Sequence, residues 1–526
     1  MKPSKQFVLL VFIALLQSAC RHIEYLTPMS NSSQFILGQR DSLKKHVMGN
    51  PTTHYLTPGL SLHVSKPTSD SLLLRLIDSN ATIPIQKRLV KPRGEYEFVC
   101  RDNVPRLVYA LRKGDSLYYY EKSIDARTLE YERDSMFLVV LPKDNETTIV
   151  RPTTGCGYAI LSYAQHNSDE DVYIGFKKHR KNAVSVFYPD NQSIDTVRFT
   201  SHVKNTFQRF FLDPVSGSGV FLLIRDSILE SGEISHNRIM EIVVSSKTKE
   251  TTSKRHVYDL ARIMGGVEVT SYTATLSTNL RHSDIVLSIG EVDWQPRKII
   301  VVKIENGEAQ LSLEKVFNDS DCDRIAGAAD LKGMKLRSVD RYQDDYILLV
   351  EKVTIYSGTS NNLGWSTSVT TPSFNPSAMP MLRSTSVASS SDFRFTDGMG
   401  YSSSFSVVRM KKDGEIVWVS KFNRYFAQQY ERFDNLKVRG REDLTAMMSH
   451  PVNDQISVVW REFAMHYLLN VQIQLSDGKT GSPTILGKID KEAHWFGLFW
   501  VNPTAFVGWT QVPENYPLVP FRINMR

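Results

Sequence analysis

The apolar residues of this chain fall in short runs separated by polar and turn-forming residues. The runs are rich in β-branched and aromatic side chains, which is typical of β-strands. No long stretch has the three-to-four-residue apolar spacing of an amphipathic helix. Representative runs are LLLRLI, SLYYY, MFLVVL, VFLLI, DIVLSI, KIIVV and YILLV. The pattern therefore predicts an all-β protein.

Turn-forming residues recur between these runs at similar intervals. The strongest are Asn306-Gly307, Asp413-Gly414 and Asp477-Gly478, because both central positions of a type I′ hairpin turn need a positive φ. Weaker signals lie at Pro92-Arg93-Gly94, Asp144-Asn145, Asp190-Asn191 and Lys247-Thr248. Once residues 357–404 are set aside, the turns are roughly 50 to 60 residues apart, with about four strands in each interval.

A repeat of this length with four short strands is typical of a β-propeller blade. Seven units carry a turn, and three further strand candidates follow near the C-terminus. An N-terminal strand at residues 34–38 would complete the last unit as its outer edge, which predicts eight four-stranded blades of about 50–60 residues. Seven blades, with the terminal segments shared differently, is the alternative, and two packed β-sandwiches is the third possibility.

Residues 357–404 differ in composition from the rest of the chain. Of these 48 residues, 20 are Ser or Thr and none is Lys or Glu. The segment would join the second and third strands of its blade, on the face that also carries the connections between blades. Loops of this kind combine adaptable hydrogen bonds with amphipathic contact area, so it is interpreted as a partner-binding loop, with a solvated insertion as the alternative. Its candidate contact residues are Trp365, Phe374, Phe393, Phe395 and Tyr401.

The first twenty residues, MKPSKQFVLLVFIALLQSAC, match a bacterial lipoprotein signal peptide. Lys2 and Lys5 give a positive start, residues 7–16 are an apolar core too short to span a bilayer, and small residues precede Cys20. Gln17 stands where such signals usually carry leucine, so an ordinary cleaved signal peptide is the alternative. We expect a signal peptide at 1–19, a lipidated tether at 20–33 and a propeller at 34–526.

Lipid on Cys20 would hold the protein on a membrane without a transmembrane helix. Arg21, rather than Asp, follows this cysteine, and in the enterobacterial sorting pattern that points to the outer membrane. The sequence therefore predicts a bacterial membrane lipoprotein, attached to the membrane through its lipid and facing the cell envelope.

The charge of the chain argues against a nucleic-acid partner. Its formal net charge is +7, and loss of Lys2 and Lys5 with the signal leaves 61 basic and 56 acidic residues, or +5. That excess is small for the length of the chain. The densest basic run, residues 177–181, lies between two strand-like segments and is interpreted as a solvated hairpin loop.

Three cysteines remain if Cys20 is lipidated. Cys100 and Cys156 fall near the ends of successive repeat units, so they could form one disulfide and leave Cys322 free. Three reduced, buried thiols are the alternative. The chain has no CxxC pair, so neither a structural zinc site nor a thioredoxin-like motif is predicted.

Two acidic patterns were considered as ligand sites. Asp319, Asp321, Asp323 and Asp330 reproduce the acidic spacing of a calcium loop, although Arg324 stands where the loop needs glycine. A weak calcium site and a plain acidic surface loop are the two interpretations. Acidic residues also end the strand before the hairpin in several units, and these are interpreted as solvated strand ends: Glu291, Glu351 and Glu462.

Familiar catalytic motifs are missing from the sequence. It contains no GxSxG, HExxH, Walker A or Rossmann glycine pattern, and no cofactor is expected. The stretch DGEIVW at residues 413–418 resembles the turn-strand unit of PQQ-like propellers, which include a lipid-anchored scaffold of outer-membrane protein assembly. The same stretch is only faintly similar to the Asp box of sialidase propellers, and Trp418 is expected in the blade core.

Together these features predict a lipid-anchored propeller that binds a protein or glycan partner in the cell envelope and performs no chemistry. The alternative is a carbohydrate-active propeller enzyme, such as a glycoside hydrolase or a sialidase-like protein. That alternative needs two carboxyl groups about 5 Å or 6.5–9.5 Å apart at the mouth of the channel.

Overall fold

The protein is described here from a computed structural model. The model describes residues 26–28, 33–37 and most of 52–525. Within 52–525, its longer gaps fall at 165–171, 199–206, 246–252, 264–270, 357–398, 424–446 and 512–518. The shorter gaps lie in connections between strands. The described residues are almost entirely strands and turns, as the short apolar runs predict.

The first three sheets follow one another along the chain. Sheet 1 is formed by β3 (Thr52–Thr57), β4 (Leu60–Thr68), β5 (Ser71–Ile77) and β6 (Ile85–Val90). Sheet 2 is formed by β7 (Tyr96–Arg101), β8 (Val104–Lys113), β9 (Ser116–Ser123) and β10 (Met136–Pro142). Sheet 3 is formed by β11 (Asn145–Val150), β12 (Ala159–Ala164), β15 (Ala183–Tyr188) and β16 (Ser193–Arg198), with a small hairpin of β13 (Val172–Ile174) and β14 (Lys177–His179) between its second and third strands.

The next three sheets repeat the same antiparallel meander. Sheet 4 is formed by β17 (Phe207–Leu212), β18 (Gly219–Ile228), β19 (Ile234–Val244) and β20 (Lys254–Asp259). Sheet 5 is formed by β21 (Ser271–Thr278), β22 (Ser283–Gly290), β23 (Lys298–Glu305) and β24 (Glu308–Val316). Sheet 6 is formed by β25 (Met334–Tyr342), β26 (Asp345–Tyr356), β27 (Met399–Met410) and β28 (Ile416–Asn423).

The last two sheets combine strands from both ends of the chain. Sheet 7 is formed by β29 (Met447–Met448), β30 (Gln455–Glu462), β31 (Tyr467–Gln474) and β32 (Thr484–Ile489), and β1 (Leu26–Pro28) pairs with β32 as a fifth strand. Sheet 8 is formed by β33 (Trp495–Asn502), β34 (Ala505–Gln511) and β35 (Val519–Met525), and β2 (Ser33–Leu37) pairs with β35.

The prediction of an all-β propeller with four-stranded blades is confirmed. Seven of the described sheets have four strands, which matches the alternative count of seven four-stranded blades. The preferred count of eight four-stranded blades is not met, because β1 gives sheet 7 a fifth strand. Residues 26–28, which belong to the predicted tether, therefore pair with sheet 7.

Apolar clusters join consecutive sheets around the ring. Each of the six clusters formed by sheets 1 to 7 contains buried side chains from two neighbouring sheets. Arg522 of sheet 8 donates hydrogen bonds to the Ser79 carbonyl and the Asn80 side chain of sheet 1, so the last sheet contacts the first.

Burial explains why the apolar runs predicted the strands correctly. Both faces of a middle strand pack against a neighbour, so such strands are apolar throughout, and every residue of β22 is buried. Outer strands have one solvated face and alternate, as β24 does. Trp418 is 7% exposed in the cluster between sheets 6 and 7, which confirms it as a core residue.

The strong turn signals mark one kind of connection. Asn306-Gly307, Asp413-Gly414 and Asp477-Gly478 each lie between the third and fourth strands of a sheet. Gly478 has a φ of +72°, and a Cβ there would lie 2.6 Å from the Trp418 ring of the neighbouring sheet. Glycine is thus required at this turn for both conformation and space.

Cys100 and Cys156 form a disulfide, with their Cα atoms 5.0 Å apart. Cys100 belongs to β7 of sheet 2, whereas Cys156 lies between the first two strands of sheet 3. The bond therefore connects neighbouring sheets. Cys322 is a free, buried thiol, so the pairing with one thiol left over is the interpretation that the structure supports.

Candidate functional site

The antiparallel meander gives the ring two distinct faces. First strands join second strands, and third strands join fourth strands, at one end of each sheet; we call this side the hairpin face. Second strands join third strands, and each sheet joins the next, at the opposite end; we call this side the crossover face. The two faces carry different chemistry, and that difference defines the candidate site.

The hairpin face is occupied by polar contacts within sheets and between neighbouring sheets. Glu121, 1% exposed in β9, pairs with Arg101 at 2.8 Å and with Arg106 at 2.6 Å. The hydroxyl of Tyr158, from sheet 3, donates to the second oxygen of this carboxylate. Burial, followed by the Glu121 charge, raises the pKa of Tyr158, so the phenol stays protonated as a donor. Together with the disulfide, this cluster fastens sheet 2 to sheet 3.

A second such cluster joins sheets 5 and 6. The Asp284 carboxylate of β22 pairs with the guanidinium of Arg341 in β25, which lies 4.1 Å from the ring centroid of Tyr346. His282 lies 3.2 Å from the same guanidinium. Burial first, and then the charges of Lys303 and Arg341, lower the pKa of His282, so its ring is neutral beside the arginine.

Contacts to turn carbonyls join sheets 6 and 7 on the same face. Trp418 Nε1 donates to the Leu475 carbonyl at 2.9 Å, and Arg409 NH1 donates to the same carbonyl at 2.8 Å. Ser420 donates to the Gly478 carbonyl at 2.8 Å. Sheets 3 and 4 are joined similarly, because the Gly219 N–H donates to the Tyr188 hydroxyl at 2.8 Å. The hairpin face thus uses its polar groups to hold the ring together.

Two further buried carboxylates of the described residues are engaged in structural ion pairs. Glu351 is fully buried and accepts from Arg337 Nε at 2.5 Å, so its interpretation as a solvated strand end is wrong. Glu241, also fully buried, pairs with Arg255 at 2.9 Å. A carboxylate neutralised by arginine in this way serves packing and is poorly suited to donate a proton as a general acid.

The crossover face carries the long extensions of the ring. In sheet 6 the outer pairings end near Lys352 and Ser404, whereas β26 and β27 continue together as far as Tyr356 opposite Met399. In sheet 4, β18 and β19 likewise continue to Ile228 opposite Ile234. The β13–β14 hairpin is the corresponding extension of sheet 3. In the described residues, three extensions therefore project from the crossover face. Each lies between the second and third strands of its sheet.

The predicted binding loop joins this face as expected, but its boundary was misplaced. Residues 399–404 belong to β27, and Tyr401 lies opposite Thr354 in the β26–β27 register. The side chain of Tyr401 and the whole of Trp365, Phe374, Phe393 and Phe395 lie outside the described residues. Cys20 lies outside them too, so its lipidation stays a prediction.

The aspartates of the suggested calcium loop form a helix. Asp319, Asp321 and Asp323 lie on α2 (Asp319–Ala326), which follows the shorter α1 (Leu260–Ile263), and Asp330 lies beyond its end. Asn318 caps α2 by accepting from the Asp321 N–H at 2.8 Å, while the Asp321 carboxylate pairs with Lys315 at 2.7 Å.

The local structure thus differs from both interpretations of this segment, the calcium loop and the plain surface loop. In the part of the chain that the structure describes, no group of three or more His, Cys, Asp or Glu residues is placed to hold a metal ion. Within the same residues no helix is long and apolar enough to cross a membrane.

Comparison with known proteins adds little about activity. No family model matches the sequence, and no curated protein matches it either. Among solved structures, polysaccharide lyase Uly1 is similar over 95% of this chain and 99% of its own, with 8% identity and a TM-score of 0.40. The propeller domain of the Trilobed protease from Pyrococcus furiosus is similar over 86% and 98%, with 7% identity and a TM-score of 0.34.

Another similar structure is Sqt1 from Chaetomium thermophilum, which matches over 95% of this chain and 100% of its own, with 10% identity and a TM-score of 0.38. At these values the similarities assign neither an activity nor a partner to this chain.

Sequence reasoning missed the polar contacts on the hairpin face. Arg101, Arg106 and Glu121 come from three different strands, and Tyr158 comes from the next sheet. No local spacing links them. The available signal was the presence of charged residues inside otherwise apolar strands, as at Arg75 in LLLRLI, where the guanidinium donates to Ser65 Oγ at 2.9 Å.

Proposed function

We propose that this protein is a lipid-anchored propeller of the bacterial cell envelope that binds or scaffolds a protein or glycan partner without performing chemistry. The observation that carries the binding role is the difference between the two faces. On the hairpin face, turn carbonyls, tyrosine hydroxyls and a tryptophan N–H make hydrogen bonds between neighbouring sheets. The crossover face presents three extensions that contribute nothing to the pairing of the outer strands.

The disulfide supports an envelope location. Stable structural disulfides form in oxidising compartments, and the Cys100–Cys156 bond joins two sheets in the interior of the fold. An export signal and a lipid on Cys20 would place the chain in such a compartment. The lipid would also explain attachment to a membrane by a chain whose described part has no membrane-spanning helix.

The binding loop is proposed to begin after Tyr356 and to end before Met399. Its attachment points are neighbours, because these two residues lie opposite each other in the β26–β27 ladder. The β26–β27 hairpin extends four residue pairs beyond the four-stranded part of sheet 6. These pairs run from Val353 opposite Ser402 to Tyr356 opposite Met399. These four residue pairs form a stalk at the two ends of the proposed loop.

The test is to replace residues 357–398 by a short Gly-containing turn. Since each doubling of loop length costs only about 0.6 kcal/mol of closure entropy, the thermal unfolding midpoint should stay nearly unchanged. Photo-crosslinking in whole cells should then capture less of the partner than with the intact protein. A matched control replaces the connection 229–233 of sheet 4 in the same manner. Undiminished capture without the loop would exclude it as the binding site.

A further inference from the structure

The N-terminal segment reaches the ring at a defined place. Leu26, the first residue of β1, lies opposite Ile489, the last residue of β32. β32 is the fourth strand of sheet 7, so its last residue lies at the crossover end of the sheet. Leu26 therefore lies at the crossover end of the outermost strand of sheet 7.

The direction of the next strand is consistent with this path. After Pro28 the chain must reach Ser33, which lies opposite Met525 at the hairpin end of β35. β1 thus runs from the crossover side toward the hairpin side, and β2 runs back. Whatever precedes β1 approaches the ring from the crossover side at the edge of sheet 7.

The tether between the proposed lipid and the ring is short. Five residues lie between Cys20 and Leu26, and the six steps from one Cα to the other span at most about 20 Å when fully extended. The six residues of β32 alone cover about 20 Å along the outer edge of sheet 7. To present the hairpin face to the membrane, the tether would have to run back, fully stretched, along that whole edge.

We infer that the crossover face is the surface of the ring turned toward the membrane. This inference rests on the proposed lipidation of Cys20. It places the β26–β27 stalk, the β18–β19 extension and the β13–β14 hairpin in the space between ring and bilayer. The partner of this face is then one that is reachable at the membrane surface, whereas the hairpin face points away from it.

Charge contributes little to this orientation. The densest basic run contains Lys177, Lys178, Arg180 and Lys181, but Asp169, Glu170 and Asp171 precede it in the same connection. Four positive charges and three negative ones leave +1, which is far from the clusters of four to eight cations that bind anionic lipid surfaces. The orientation follows from the anchor point, so phosphatidylcholine vesicles are a sufficient membrane for its test.

The experiment compares exposed turns at opposite ends of the same sheet. Ser69→Cys in sheet 1 and Asp115→Cys in sheet 2 place a thiol on the crossover face, while Asn80→Cys and Thr128→Cys place one on the hairpin face. Each is made with Cys322→Ala in the lipidated protein purified from cells. A fluorescent donor is attached to the new thiol, and energy transfer to an acceptor lipid is measured in phosphatidylcholine vesicles.

Transfer should be more efficient from the crossover label than from the hairpin label in both sheets. Inserting a long Gly/Ser segment after Cys20 should reduce that difference, because the ring is then free to turn. Equal or reversed efficiencies in a protein that stays bound to the vesicles would overturn the orientation. A protein without lipid, which would not bind the vesicles at all, would instead refute the proposed anchor.

Discussion

Phe35 of β2 lies opposite Ile523 of β35, so the two ends of the chain share sheet 8. The N-terminal strand is the outermost of that sheet, where β33 is innermost. Arg522, the neighbour of Ile523, reaches the Ser79 carbonyl of sheet 1. Closure of the ring therefore requires β2 to pair with β35, a strand that lies almost 500 residues later in the sequence.

Replacing both Phe35 and Ile36 by proline should open this closure. Successive N–H groups point to opposite sides of a strand, so one of the two prolines removes a donor aimed at β35. We expect a loss of about 1–3 kcal/mol in the free energy of unfolding, measured by urea denaturation. Prolines at Ser30 and Asn31, in the connection between β1 and β2, are the matched control. An equal effect from both pairs would argue against closure by β2.

The closing strand shows what the sequence can predict. Residues 34–38 were expected as the outer strand of the last unit, and β2 occupies 33–37 in that role. Continuous apolar runs located the middle strands because both of their faces are buried. The short β1 was missed, since three residues carry no periodicity. α2 was missed because its eight residues, about two turns, give little helical pattern.

Breaking the disulfide should destabilise the ring. The bond spans 56 residues of sequence, for which the chain-entropy relation gives about 4 kcal/mol. The double variant Cys100→Ala/Cys156→Ala should therefore unfold at a lower urea concentration than the native protein. Cys322→Ala is the matched control. Dithiothreitol should lower the midpoint of the native protein and leave that of the double variant unchanged. Three free thiols in the denatured, unreduced protein would contradict the bond.

Removing the charge of Glu121 should also weaken the ring. Glu121→Gln leaves the guanidinium groups of Arg101 and Arg106, only 12% and 15% exposed, without their shared carboxylate. Such a change typically costs about 3 kcal/mol of unfolding free energy. Glu415→Gln breaks the exposed pair with Lys411 and should leave the unfolding midpoint unchanged. Similar midpoints for the two variants would mean that the Glu121 cluster does not join the sheets.

Stability should fall on mild acidification because of His63. Burial, followed by the charge of Arg75, lowers the pKa of His63 well below its ordinary value. Below about pH 6.5 the unfolded chain binds a proton there that the folded chain does not, so stability is full above that pH and declines beneath it.

The variant His63→Gln should show a shallower decline between about pH 6.5 and pH 5, by up to about 1.4 kcal/mol per pH unit. Urea unfolding of both proteins at several pH values in this window measures the difference in slope. Parallel slopes would show that His63 titrates alike in the folded and unfolded chains.

The candidate site was only partly accessible from the sequence. Serine, threonine and aromatic residues identified the insertion, and its place between second and third strands followed from the repeat. The predicted end lies too late because residues 399–404 resemble one more serine-rich stretch, although they pair with Lys352 to Tyr356. The hairpin-face clusters could not be predicted because their members come from different strands or from neighbouring sheets, with no local spacing between them.

The proposed place of this ring in the envelope rests on a lipid attached to Cys20. Mass spectrometry of the N-terminal peptide of the protein purified from cell membranes tests it most directly. We expect a mature chain that begins at Cys20 and carries the mass of its acyl chains. We also expect a Cys20→Ser variant to lack this modification and to leave the membrane fraction. An unmodified N-terminus, or a Cys20→Ser variant that remains in the membrane fraction, would contradict it.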